Sequence, residues 1–151
     1  MPLDAATDSF RRAWEASDVR DTTPGDHRLL IVDDFEDGRY LYVQYFIALG
    51  FIVEEATDGA EALEKIQATR PDVVVMDLAM PHMDGLATTR ALRDDPSTAT
   101  MPIVIVTGHA NTADAKRAKE AGANEVCAKP CAPNDLSLLV LKHLRPKPRD
   151  A

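Results

Sequence analysis

The sequence predicts an α/β domain built on a parallel sheet, and three observations carry that reading. Short, continuous β-branched runs recur between residues 28 and 128 without apolar–polar alternation, the pattern of strands buried on both faces. Amphipathic helical segments separate consecutive runs, and such strand–helix alternation packs through right-handed crossovers. The chain has 151 residues, 45% of them hydrophobic, which suffices for one core without a disulfide or metal staple.

Taken in order, residues 1–27 form an N-terminal extension with six acidic and three basic residues. Phe10, Ala13, Trp14 and Ser17 follow helical spacing there, with Thr7 or Asp8 as N-cap. Asp21 to Asp26 contains Pro24-Gly25 and reads as a linker. Leu29 to Val32 is the first strand and stops at Asp33-Asp34. The next helix has a buried stripe of Gly38, Leu41, Tyr42, Tyr45, Phe46 and Leu49, and Gly50 ends it. Ile52-Val53 marks a second, weaker strand, followed by a helix from Asp58 to about Ala68. The third strand, Val73 to Met76, stops at Asp77, and a helix covers about 84–93. The fourth strand, Ile103 to Val106, stops at Thr107, and the helix after it ends at Gly122. Val126 to Ala128 is the fifth strand and stops at Lys129. The last helix starts at Pro133 and closes the domain, residues 28–144. Residues 145–151 hold three cations, one acid and two prolines and read as a disordered tail.

Composition narrows the function. A net charge of −8 disfavours binding to the DNA phosphate backbone. No apolar run approaches the roughly 18 residues of a membrane span. The N-terminus, MPLDAATDSFRR, has acids and no apolar h-region, unlike a secretory signal, so a cytoplasmic location is expected. Cys127 and Cys131 are expected to form no disulfide framework, with Cys127 a core residue and Cys131 a loop residue. His27 and His143 lie at element ends with no role assigned. All eight aromatic residues lie at or before Phe51.

In an open parallel sheet, ligands bind outside the carboxyl ends of the strands. The residues that end the runs, Asp33-Asp34, Asp77, Thr107 and Lys129, should therefore meet in one shallow pocket. Three crowded acids require a cation, and oxygen-only ligation suits Mg²⁺. A carboxylate can accept a phosphoryl group as a nucleophile, with Thr107 and Lys129 binding its oxygens. That chemistry leaves the three carboxylates unranked.

These residues resemble the receiver domain of two-component response regulators. The likeness covers about residues 28–144 and rests on Asp33-Asp34 and on Asp77 within the run to Gly85, which includes Met80-Pro81 and Asp84-Gly85. Thr107 follows 30 residues after Asp77 (107 − 77), and Lys129-Pro130 follows 22 residues after Thr107 (129 − 107). The resemblance implies a flavodoxin-like, doubly wound five-stranded parallel sheet in the order 2-1-3-4-5 with five helices. It makes Asp77 the phosphoacceptor. Asp33, Asp34, Asp77 and the backbone carbonyl of Ala79 would be the Mg²⁺ ligands, Asp33 largely through water. Pro130 would form a cis peptide that points Lys129 inward. The phosphoryl donor would be a sensor histidine kinase or a histidine phosphotransfer protein. Slow self-catalysed hydrolysis would reset the state, and a downstream protein target would read it through protein–protein contact, from a stand-alone receiver.

The chain departs from the family at several positions. Val126 stands where many members carry the aromatic of the Thr-coupled switch, and Cys131 replaces an aromatic common after Lys-Pro. Ala79 and His109 occupy the positions that tune phosphoryl lifetime. The first domain helix also carries a second apolar stripe, Tyr40, Val43 and Ile47. This face is expected to be covered by the Phe10/Trp14 segment, by a second copy of the chain, or by a phosphodonor's helices. The competing function is a phosphate-independent adaptor with the same fold. An aspartate-nucleophile phosphatase of the haloacid dehalogenase type would need a second Asp at position 79, where this chain has Ala.

Overall fold

The computed structural model describes residues 4–80, 82–108 and 112–147. Five parallel strands form one sheet in the order β2-β1-β3-β4-β5. They are β1 (Arg28–Val32), β2 (Ile52–Ala56), β3 (Val73–Asp77), β4 (Ile103–Thr107) and β5 (Glu125–Ala128). The helices are α1 (Asp4–Glu15), α2 (Glu36–Leu49), α3 (Gly59–Thr69), α4 (Gly85–Asp94), α5 (Thr112–Ala121) and α6 (Pro133–His143), with a 3₁₀ turn at Pro24–Asp26. The sheet and its five covering helices match the expected fold; α1 is the additional helix of the extension.

Side chains alternate across a strand, and here both alternating sets are apolar. Leu29, Ile31, Val73, Val75, Val104 and Val106 face a core completed by α1, α2 and α6. Leu30, Val32, Val74, Met76, Ile103 and Ile105 face a second core completed by α3, α4 and α5. β2 is one of the two edge strands, with Ile52 and Glu55 exposed, which explains its weak apolar signal.

Local chemistry sets the helix ends. Asp58 caps α3 by accepting from the Glu61 N–H at 2.8 Å, and Glu61 accepts from the Thr57 N–H at 3.0 Å, a reciprocal cap. Asp84 caps α4 through the Ala87 N–H at 2.8 Å. Gly50 ends α2 in the left-handed region, at φ 105°. Gly85 starts α4 directly against the end of β3: a Cβ there would fall on the Asp77 carbonyl and the Leu78 Cα.

Three expectations change. The buried side of α2 is centred on Val43 and Phe46, whereas Leu41 of the expected buried stripe is 65% exposed. The helix sits rotated from the expected stripe, turning Val43 together with Phe46 into the core that holds Phe51. Val43 of the second stripe is therefore core, while Tyr40 and Ile47 stay 61% and 49% exposed.

α1 does not cover Tyr40 and Ile47. Phe10 and Trp14 are buried beside Phe51, with ring centroids 5.9 and 6.0 Å away, and they join Leu141 and Leu144 in one core. His27 also has a structural place. It is fully buried, stacked edge-on to Trp14 at 5.5 Å, with Nε2 2.8 Å from the Thr22 hydroxyl. Thr22 Oγ1 donates to the Val19 carbonyl, so the hydroxyl accepts from His27 Nε2–H, and Nδ1 is left without a hydrogen-bond partner.

The third change concerns Cys127 and Cys131, which are joined as a disulfide with Cα atoms 6.1 Å apart. That separation lies within the bridging range. Of the expected tail, Arg145 donates to the Thr100 carbonyl and Lys147 pairs with Asp72 at 3.1 Å. Residues 148–151 lie outside the described residues.

Candidate functional site

The carboxyl ends of β1, β3, β4 and β5 bring the expected residues together. Asp33 and Asp34 follow β1, Asp77 ends β3, Thr107 ends β4 and Lys129 follows β5. Carboxylate oxygens of Asp33, Asp34 and Asp77 lie within 4.8 Å of one another. Asp33 is buried, Asp77 is half-buried and Asp34 is exposed, so the cluster opens to solvent on one side. Lys129 Nζ reaches Asp77 Oδ2 at 3.2 Å and Asp33 Oδ2 at 3.4 Å.

Backbone and side-chain contacts hold Asp33, Asp77 and Lys129. Asp33 Oδ1 accepts from the Phe35 N–H at 2.9 Å, and the Asp33 carbonyl accepts from Arg39 at 2.7 Å. Asp77 Oδ1 accepts from the Ala79 N–H at 3.3 Å. The Lys129 N–H donates to the Thr107 carbonyl at 2.8 Å, extending the β4–β5 ladder by one rung. The Lys129–Pro130 peptide is cis. Thr107 is buried, paired in register with Ala128. Val126 pairs in register with Ile105 and packs on the second core. His109 and Pro81 lie outside the described residues.

Electrostatics define what the pocket can accept. Burial pushes the Asp77 carboxyl above its ordinary range, with Lys129 opposing and Asp33 reinforcing the shift. At Lys129 burial acts downward, but Asp77 and Asp33 outweigh it and hold the ammonium above its ordinary value. One ammonium thus faces three carboxylates, a charge imbalance that a hard divalent cation relieves. The all-oxygen donor set fits Mg²⁺.

An apolar groove of about 520 Å³ adjoins the pocket, lined by Phe35, Leu41, Tyr42, Pro130, Cys131 and Pro133 among others. The Tyr42 hydroxyl donates to the Cys131 carbonyl at 2.8 Å. Sequence periodicity missed this groove because it assigned Leu41 to the core. The run of four apolar or aromatic residues from Tyr40 to Val43, wider than one buried stripe, was the available signal.

A doubly wound sheet with a carboxylate cluster and a lysine at its carboxyl edge defines the class of flavodoxin-like signalling domains. Comparison with known proteins makes this specific: residues 29–141 match the response regulator receiver domain, and the chain belongs to that family. The gliding motility regulatory protein of Myxococcus xanthus is 37% identical over 102 residues, 68% of this chain and 13% of that protein. Response regulator PleD of Caulobacter vibrioides is 36% identical over 103 residues, 68% of this chain and 23% of that protein. The chain therefore spans a small part of these relatives.

Among solved structures, a putative response regulator from Chloroflexus aurantiacus is 34% identical with a TM-score of 0.73, covering 76% of this chain and 93% of that one. The receiver domain of a sensor histidine kinase from Pseudomonas aeruginosa is 26% identical with a TM-score of 0.73, covering 78% and 96%. It is described with a magnesium ion coordinated in its active-site cleft. No described helix here is long and apolar enough to cross a membrane.

Proposed function

We propose that this receiver is a phosphoacceptor of a two-component or phosphorelay system, with Asp77 as the accepting residue. The observation that carries this reading is the Asp33, Asp34 and Asp77 cluster within 4.8 Å, bridged by Lys129 at 3.2 and 3.4 Å. An Asp77 carboxylate oxygen attacks the phosphorus of a phosphohistidine. The P–N bond breaks and the imidazole leaves, giving an acyl phosphate on Asp77. Asp33, Asp34, Asp77 and the Ala79 carbonyl would hold Mg²⁺, which supplies positive charge against the phosphoryl oxygens. Lys129 and the Thr107 hydroxyl bind those oxygens. His109 and Ala79 set how readily water reaches the product, and Val126 leaves the readout to Thr107 without a rotating ring.

The donor, a histidine kinase or histidine phosphotransfer protein, docks on the groove beside the pocket, where Phe35 and Leu41 offer exposed apolar surface. The exposed Tyr40 and Ile47 on the other flank of α2 offer a second copy of the chain its contact. The phosphorylated form acts by protein–protein contact in the cytoplasm.

Incubation with Mg²⁺ and acetyl phosphate tests the reading. One phosphoryl group, mapped to Asp77 by borohydride trapping and peptide mass, is expected. No mass gain, with no shift on adding beryllofluoride, would leave the phosphate-independent adaptor in its place.

A further inference from the structure

The disulfide encloses the pocket's lysine. Cys127 lies in β5 and Cys131 precedes α6, so the five-residue ring contains Ala128, Lys129 and the cis Pro130. Besides the Lys129 ion pairs with Asp77 and Asp33, three ties hold this segment: the Lys129 N–H on the Thr107 carbonyl, the Tyr42 hydroxyl on the Cys131 carbonyl, and the S–S bond. A ring this short closes little chain, so its stabilising effect on the whole fold is small and its effect is local.

The two sulfurs differ in access. Cys127 is half-buried, whereas Cys131 is buried under the groove. Cys131 also sits just before the α6 N-cap, Ala132, which makes no side-chain cap bond. An external thiolate therefore reaches the Cys127 sulfur first, with the enclosed Cys131 as the leaving sulfur, and access to one sulfur is what thiol–disulfide exchange requires.

We propose that Cys127–Cys131 is a thiol–disulfide exchange site whose state sets how firmly the Lys129 segment is held. A dithiol reductant is the reacting class. Its thiolate attacks Cys127 Sγ, the S–S bond breaks, and Cys131 leaves as a thiolate that takes a proton. The second thiol then attacks the mixed disulfide and releases Cys127. Two electrons and two protons pass to the protein, and the dithiol becomes a disulfide. Oxidation by a disulfide of the glutathione class runs the steps in reverse. Loosening the segment moves Lys129 relative to Asp77, so the inference rests on the phosphoacceptor reading for its effect on activity.

The test uses the full chain. Protein purified without reductant and denatured in maleimide is expected to take no label, and to take two labels after dithiothreitol. Amide hydrogen exchange at Lys129 should then quicken about tenfold on reduction as the segment opens more often. Phosphoryl uptake from acetyl phosphate should slow about tenfold on reduction, because small misplacement of a positioning group is costly. The double variant Cys127→Ser/Cys131→Ser should match the reduced protein and ignore dithiothreitol. Two labels without reductant, or equal Lys129 exchange in both states, overturns the inference. If neither state accepts phosphoryl, the phosphoacceptor reading fails, while labelling and exchange still decide the thiol site.

Discussion

The two ends of the sheet are built from opposite materials. At the carboxyl edge, three carboxylates and one ammonium meet in a pocket open to solvent. At the amino edge, beside the starts of β1 and β2, Phe10, Trp14, His27, Phe46 and Phe51 pack in tilted and edge-to-face pairs with centroids 5.5 to 6.0 Å apart. Strand ends expose unpaired backbone and must be finished in some way. One end is finished by charged side chains open to solvent, the other by rings that exclude water and anchor α1. The difference teaches that site and stability are separated along the strands: chemistry can be altered at one edge with little loss of fold, and the reverse.

The sharpest attempt to break that separation is Asp77→Asn, which should abolish phosphoryl uptake while unfolding near the wild-type temperature, read by intact mass and calorimetry. Removing Mg²⁺ with a chelator should have the same effect on uptake. Lys129→Met should slow uptake by about 10² to 10³, the scale for loss of one charge-stabilising donor. A loss below tenfold would place Lys129 outside the phosphoryl site.

At the other edge Trp14→Ala should cost about 3 kcal/mol in denaturant unfolding, from lost burial and the cavity left behind. Uptake by the folded variant should be unchanged; a matching loss of uptake would show that the two edges are coupled. Gly85→Ala tests the junction at the end of β3 and should cost about 2 kcal/mol through overpacking against the Asp77 carbonyl.

The smallest effect is in pH. Burial lowers the pKa of His27, with Asp72 and Asp26 opposing and Lys147 reinforcing. The unfolded chain, with an ordinary pKa of about 6.5, then binds more protons than the native state. Stability should fall as pH drops below about 6.5, by at most about 1.4 kcal/mol per pH unit, and level off below the native pKa. His27→Gln should flatten that limb in pH-dependent unfolding.

Much of the carboxyl edge was legible in the chain. Each apolar run ends at a polar residue, and in a parallel sheet all such ends share one edge, so Asp33, Asp34, Asp77, Thr107 and Lys129 could be gathered without coordinates. The α2 surface was not legible in the same way. Leu41 and Val43 are both apolar, and only the seating of α2 on the sheet decides that Val43 is buried and Leu41 faces the groove. The fate of Phe10 and Trp14 was half legible: their spacing marked a helix, but nothing local says that it docks on α6 and Phe51 and leaves Tyr40 and Ile47 open.

The sequence by itself determined the strand–helix order, the two apolar faces of the sheet and the polar residue at each strand end, because these follow from local periodicity and run length. Only the tertiary structure decided which helix faces are covered, where His27 and α1 lie, and that Cys127 and Cys131 close a ring around Lys129. Those outcomes depend on the turn after β5 and on contacts between segments up to about a hundred residues apart, such as Tyr42 with Cys131, which no local pattern encodes.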